Sequence, residues 1–165
     1  MRALALLAIF LTACGGAAPT SDVTVRRYED VSGNPTPNDD SLGLTYFSDD
    51  GGSAKHGAEG FNVLINETLA LDDRIEGVII HELENALVLR DGNNYTPYFP
   101  VTMDATWFLW DGDIRSIGEP IPTDEAAWLA THGTMDVHVL DAWLLGPVAG
   151  AIEKINDAAG REVFK

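Results

Sequence analysis

The stretch Gly77–Gly92, GVIIHELENALVLRDG, places a histidine beside a glutamate on a predicted helix. Residues four apart lie on one helix face, so a histidine at position 85 would meet the same zinc ion as His81. Glu82 between them would act as general base on the water bound to zinc. The chain carries Asn85 at that position instead. An amide oxygen is a neutral and weaker zinc ligand than an imidazole, so this change lowers the expected metal affinity.

A helix from Asp72 to Arg90 is predicted to position these side chains. Apolar residues recur along it at helical spacing, namely Ile75, Ile79, Leu83, Ala86 and Leu87. Asp72 and Asp73 suit the positive N-terminal end of the helix dipole, and Arg90 suits the negative C-terminal end. Gly92 is a typical residue for ending such a helix.

Three strands are predicted before this helix. Val23–Tyr28, Leu42–Phe47 and Phe61–Asn66 each alternate larger apolar residues with polar or smaller ones. The loops between them are rich in Gly, Pro and Asp, which favour turns. Strands followed by helices predict an α+β fold.

Three features are predicted after the helix. A hairpin is predicted with its turn at Asp111-Gly112 and its strands at Thr106–Trp110 and Ile114–Ile117. Thr123 is predicted to cap a short helix, with two acidic residues in its first turn. Val139–Ala159 is predicted to be helical and to be kinked or split at Gly146-Pro147.

The segment VIIHELENALVLRD resembles the zinc helix of matrixin-type metzincin peptidases, whose pattern is V-I-x-H-E-L-G-H-A-L-G-L-x-H. The matching residues are Val78, Ile79, His81, Glu82, Leu83, Ala86, Leu87 and Leu89. The preceding segment GFNVLIN is similar to the edge strand that runs along the substrate cleft in that family. The resemblance implies a small metzincin-like domain: a twisted mixed sheet packed on an active-site helix, with a C-terminal helix. It also implies hydrolysis of a peptide or protein substrate by a water molecule that zinc activates.

Three departures from the family pattern bear directly on the zinc site. Asn85 replaces the second zinc histidine, Val88 replaces the glycine that ends the family's helix, and Asp91 replaces the third histidine. Because a β-branched residue resists positive φ, the helix is predicted to continue about one turn past Val88. Asp91 would then lie about 80° off the face of His81 and miss the metal. If the chain instead turns at Val88, the resemblance implies a distorted site of His81, Asn85 and Asp91.

The family also places a methionine in a tight turn below its zinc. Met135, just before the last predicted helix, is the first candidate for this position, and Met103 is the second. Both also suit a simple place in the core. Three further histidines are candidate metal ligands, namely His56, His132 and His138, although isolated histidines are more often surface or hydrogen-bonded residues. The resemblance also implies calcium as a further cofactor, with Asp49, Asp50, Asp111 and Asp113 as candidate ligands, although their spacing favours solvated acidic turns.

Composition limits the kind of partner. The 165 residues suffice for one domain and carry a formal charge of −16, with 26 acidic against 10 basic residues. Nucleic acid is therefore excluded as a partner, because it requires basic patches. Cys14 is the only cysteine, so a disulfide scaffold is excluded as well.

The N-terminal residues resemble a bacterial lipoprotein signal. Arg2 precedes the apolar run Ala3–Leu11, which ends in the lipobox-like sequence Leu-Thr-Ala-Cys. The resemblance implies removal of residues 1–13, lipidation of Cys14, a tether over 14–22 and a domain over 23–165. Gly15 after the cysteine favours the periplasmic side of the outer membrane.

The resemblance implies two alternative functions, and a third interpretation makes the likeness accidental. The first function is a lipid-anchored metzincin-type metallopeptidase, with His81, Asn85 and Asp91 on zinc and Glu82 as general base. The second is an inactive pseudopeptidase that keeps the cleft and binds peptides or proteins. The third interpretation is chance similarity on an amphipathic helix.

Overall fold

We describe a computed structural model of the chain, which covers residues 22–28, 42–48, 60–91, 115 and 117–165. Three strands come first, β1 (Asp22–Arg27), β2 (Gly43–Ser48) and β3 (Gly60–Ile65), followed by helix α1 (Ile75–Arg90). Helix α2 (Thr123–Leu129), strand β4 (Asp136–Val139) and helix α3 (Leu145–Ala159) complete the order. Single 3₁₀ turns lie at Glu67–Leu69 and Ala142–Leu144. The predicted α+β class is confirmed.

Several predicted features lie outside the described residues. They are the signal segment with Cys14, the tether up to residue 21, Met103, His56, the acidic residues proposed for calcium, Gly92 and the first hairpin strand. Of the second hairpin strand, Arg115 and Ile117 are described, and neither belongs to a strand. Along the described stretches, none of the helices has the length and apolar character needed to cross a membrane.

The four strands form one mixed sheet in the order β2-β3-β1-β4. β1 pairs in parallel with both β3 and β4, whereas β2 pairs antiparallel with β3. The three early strands were predicted to within one residue at each end. The prediction that Phe61–Asn66 forms an edge strand is wrong, because β3 lies between β2 and β1.

One face of the sheet carries the core that supports α1. Val23 and Val25 of β1 align with Phe61 and Val63 of β3, and all four are buried. Alternation along each strand directs these side chains to one face, where Ile79 and Leu83 of α1 are fully buried in the same core. Burial of such side chains contributes about 1.5–3 kcal/mol each. α1 also packs against α3, so apolar neighbours cover it on more than one side.

The start and end of α1 differ in how well they were predicted. The helix begins at Ile75 and not at Asp72. Asp72 instead accepts hydrogen bonds from the Arg74 backbone N–H and guanidinium, which lower the pKa of Asp72 to about 2. At the other end, the helix runs through Val88 to Arg90, as predicted.

The C-terminal segment differs more from the prediction. Val139 ends strand β4, and the helix that follows begins only at Leu145. Pro147 lies in the first turn of α3, where a missing N–H leaves no helical hydrogen bond broken, so it does not split the helix. Thr123 is the first helical residue of α2 and makes no capping bond. Pro122 is the N-cap residue.

Residues 163–165 extend the sheet beyond β4. The backbone N–H of Met135 donates to Val163 O, and that of Lys165 donates to Met135 O. Asn156 of α3 accepts from the N–H groups of Val163 and Phe164 at 2.8 and 3.0 Å and donates to Phe164 O at 2.7 Å. Met135 is therefore a buried residue paired with the C-terminal segment.

Candidate functional site

The Glu82 carboxylate lies between α1 and the antiparallel strand β2. The Thr45 hydroxyl of β2 makes a short hydrogen bond to Glu82 Oε2 and also lies 2.9 Å from Glu82 O. Gly43 makes room for this carboxylate, since a Cβ at position 43 would stand 2.6 Å from Oε1. Glu82 is only 3% exposed. The carboxylate is thus a buried link from helix to sheet.

His81 lies on a different side of the helix from Glu82. His81 belongs to a stripe of residues along α1 that are spaced by four, three and four positions, namely Gly77, His81, Glu84 and Val88. Arg115 covers this stripe at Gly77 and at Glu84. His81 is 7% exposed, and its ring takes part in none of the hydrogen bonds or ion pairs between described residues.

Asn85 lies one turn after His81 and contacts the carboxylate of Glu82. Its amide Nδ2 is 3.5 Å from Glu82 Oε2, at the long limit of a hydrogen bond. This contact directs the amide nitrogen towards the Glu82 carboxylate. Asn85 is partly buried.

Asp91 is far from His81. Because the helix continues to Arg90, ten residues separate the two positions by a rise of about 15 Å along the helix axis. The Asp91 carboxylate is bound by its neighbours instead. Oδ1 accepts from Arg90 Nε at 2.7 Å, and Oδ2 lies 3.1 Å from His132 Nε2.

A polar cluster, formed by Arg90, Asp91 and His132, fastens the end of α1 to the chain after α2. His132 Nδ1 is 2.6 Å from Trp128 O, and the His132 imidazole also contacts the Trp128 indole, with ring centroids 4.0 Å apart. Arg90 donates to the carbonyls of residues 133 and 134 at 3.2 and 3.3 Å. The His132 ring, a candidate metal ligand from sequence, is therefore engaged in helix-end contacts.

The remaining described histidine, His138, lies in β4, on the opposite side of the sheet from β2. His138 in β4 is exposed, and its Nε2 lies 3.4 Å from Asp22 Oδ2 of β1. No position in the described chain brings three or more His, Cys, Asp or Glu side chains together in a metal-binding arrangement. His81, Asn85 and Asp91, placed as they are, do not fit a single zinc ion.

The structure also contains a buried charge cluster that was not predicted from sequence. Glu84 of α1, Arg115 and Glu125 of α2 meet there, with Arg115 Nη1 at 3.6 Å from Glu84 Oε2 and Nη2 in a short ion pair with Glu125. Burial raises the pKa of Glu84 well above its usual value, and the Glu125 carboxyl raises it further, while Arg115 opposes the shift.

Glu84 and Glu82 are both buried, although glutamate side chains on a helix usually face solvent. Glu82 is 3% and Glu84 2% exposed. The signal for Glu84 was its position seven residues after Gly77. A glycine inside a helix, where it destabilises, is typical of a close approach by another chain segment, and Glu84 shares its face.

Comparison with models of known protein families, with curated proteins and with solved structures finds no match to this chain. The geometry of the described residues is therefore the basis for a functional proposal.

Proposed function

We propose that the chain is a non-catalytic, metzincin-like module, held in the bacterial cell envelope by lipid on Cys14, that binds peptides or proteins. The observation that carries the proposal is the course of α1. Since the helix does not turn at Val88, Asp91 lies about 15 Å along the axis from His81 and pairs with Arg90 and His132. Zinc requires four ligands close together, and this set supplies no such arrangement.

The surroundings of Glu82 support the same proposal. A general base must reach a water molecule at the reacting centre. The Glu82 carboxylate instead accepts a hydrogen bond from Thr45, and β2 and α1 enclose it. Its retention beside His81 thus has a structural reason that does not involve hydrolysis.

Strand β2 is the part of the described sheet that best suits a peptide partner. One side of β2 pairs with β3, and among the described strands none pairs with its other side. Extended peptides add to such strands by backbone hydrogen bonds, while pockets for alternate side chains give specificity. Phe47, which is 45% exposed and packs on Phe61 with ring centroids 5.1 Å apart, offers an aromatic contact there.

Metal content tests the non-catalytic part of the proposal. Purified wild type, His81→Ala and Asn85→His are dialysed against trace zinc, and bound zinc is measured per chain. We expect well below one zinc per chain in the wild type, and a gain in Asn85→His, which creates two imidazoles four residues apart. About one zinc per wild-type chain, lost in His81→Ala, together with casein hydrolysis that Glu82→Ala abolishes, would instead establish the metallopeptidase.

Binding is tested separately with a tryptic digest of casein as a mixture of unstructured peptides. Amide shifts of the protein are recorded by NMR with and without the digest, and with a chelator present. We expect shifts that are concentrated in β2 and that the chelator does not affect. Unchanged β2 amides at millimolar peptide would remove the support for a peptide-binding role at this strand.

A further inference from the structure

The cluster of Glu84, Arg115 and Glu125 contains more negative than positive charge. Two carboxylates and one guanidinium would leave one uncompensated negative charge if both acids were ionised. Both glutamates are more than nine-tenths buried. An unpaired charge in such a place is strongly unfavourable, so a buried acid tends to take up a proton.

The hydrogen bonds of the cluster are also incomplete. Oε1 of Glu84 and Oε1 of Glu125 are both buried and have no hydrogen-bond partner. Both carboxyl groups contact the same Arg115 guanidinium, which brings them next to each other in the cluster. One added proton would therefore provide a donor between two acceptors and neutralise the net charge.

The charged groups that face Glu84 come from two other parts of the chain. Arg115 approaches from the segment before α2, and Glu125 approaches from the first turn of α2. Lys154 of α3 does not take part, because it pairs with Glu76 in the first turn of α1, at 3.0 Å. The cluster thus joins α1 to α2 and to the chain that precedes α2.

We propose that Glu84 holds a proton in the folded protein, beside the Glu125 carboxylate, and that its release to solvent as the pH rises loosens α2 and Arg115 from α1. This proposal is independent of the proposed peptide binding. Release of the proton leaves a buried carboxylate without a donor, and the strain is relieved when α2 moves away and water enters. α2 also carries Trp128, whose backbone oxygen bonds to His132, and His132 contacts Asp91 at the end of α1. Movement of α2 would therefore expose the end of α1 to solvent as well.

The sign of the pH effect follows from the direction of the shift. The folded-state pKa of Glu84 lies above the ordinary carboxyl value of 4.5. Above that value the folded state binds a proton that the unfolded state has released, so stability falls as the pH rises towards the folded-state pKa. In that window the folding equilibrium constant falls by up to about tenfold for each pH unit.

Infrared spectroscopy tests the proton directly. We expect the carbonyl stretch of a protonated, buried carboxyl group in the wild type at pH 7, and its loss in Glu84→Gln and in Glu125→Gln. In each variant the remaining glutamate pairs with Arg115 as a carboxylate. Absence of this band from the folded wild type at pH 7 would overturn the proposal, whether or not the variants fold.

Urea unfolding from pH 5 to 9 tests the consequence. The wild type should lose stability as the pH rises, with reduced amide protection in α2, while Glu84→Gln should show a flatter profile. Glu153→Gln, an exposed acid on α3, is the matched control and should keep the wild-type profile. Equal slopes in wild type and Glu84→Gln, or an α2 whose protection does not fall with pH, would contradict the proposal. If Glu84→Gln does not fold, Glu125→Gln serves the same comparison.

Discussion

Replacing Thr45 by valine removes the hydroxyl that donates to Glu82 while keeping the shape of the side chain. The hydroxyl bonds to Glu82 Oε2 and lies near Glu82 O. The other donor to Oε2 among the described residues is Asn85 Nδ2, at 3.5 Å. In Thr45→Val, a carboxylate that is 3% exposed therefore keeps only a marginal hydrogen bond at Oε2.

The expected loss follows from the kind of bond that is broken. A hydrogen bond to a charged group contributes about 1.5–3 kcal/mol, and a buried acceptor left without its donor costs about 1–3 kcal/mol. The added methyl of valine recovers part of this through apolar burial, at most about 0.8 kcal/mol. We expect Thr45→Val to lower the free energy of unfolding by about 2 kcal/mol.

A double-mutant cycle measures whether the two side chains act together. Urea unfolding is compared for wild type, Thr45→Val, Glu82→Gln and the double variant. Contacting residues show interaction energies of about 0.5–3 kcal/mol, and we expect a value above 1 kcal/mol here. Thr123→Val is the control, because Thr123 is exposed at the start of α2 and makes no capping bond. It should change stability by less than about 0.5 kcal/mol.

Two results would refute the reasoning about Glu82. One is a Thr45→Val variant as stable as the wild type, and the other is two single effects that simply add. Either would mean that Glu82 is not held by β2. A Glu82→Gln variant more stable than the wild type would point the same way, because catalytic groups often reduce stability where they are poised for chemistry.

Two further predictions concern packing away from Glu82. Gly77→Ala places a methyl group where the backbone oxygen of Arg115 lies, so we expect a loss of about 1–3 kcal/mol in urea unfolding despite the better helix propensity of alanine. A more stable variant would contradict the close approach. Asn156→Leu leaves the N–H groups of Val163 and Phe164 without acceptors, and we expect a loss of at least about 3 kcal/mol. Asn156→Asp keeps both acceptor bonds and should lose less, whereas equal losses would argue against this assignment.

Local alternation was enough to locate β1, β2 and β3. In β1 and β3 apolar residues at every second position face one core, and this pattern needs no knowledge of the neighbours, whereas β2 leaves Phe47 45% exposed. The extension of α1 past Val88 was equally local, because it rests on the backbone preference of one residue. These features depend on the conformational preferences of short segments.

The features that were mispredicted depend on distant pairing. β4 has the sequence DVHV, with only two apolar residues, and its pairing with β1 determines that it is a strand. The central place of β3 likewise depends on which strands flank it, which its own sequence does not specify. The burial of Glu84 also depends on Arg115, over thirty positions away, which its local sequence does not indicate.

The His81-Glu82 pair illustrates why a motif on a helix underdetermines a site. Neighbouring residues are separated by about 100° around the axis, so the pair works in a zinc helix only where one cleft is wide enough to receive both. Here the two directions are occupied by different parts of the chain. Strand β2 meets Glu82 through Thr45, and the stripe of His81 is the one that Arg115 covers. A polar residue on a helix packed on both of these sides needs a buried partner, and Glu82 has one in Thr45. The two residues that resemble a catalytic pair therefore also fit the packing of α1. Asn85 and Asp91 are the positions that distinguish a zinc site from a packed helix.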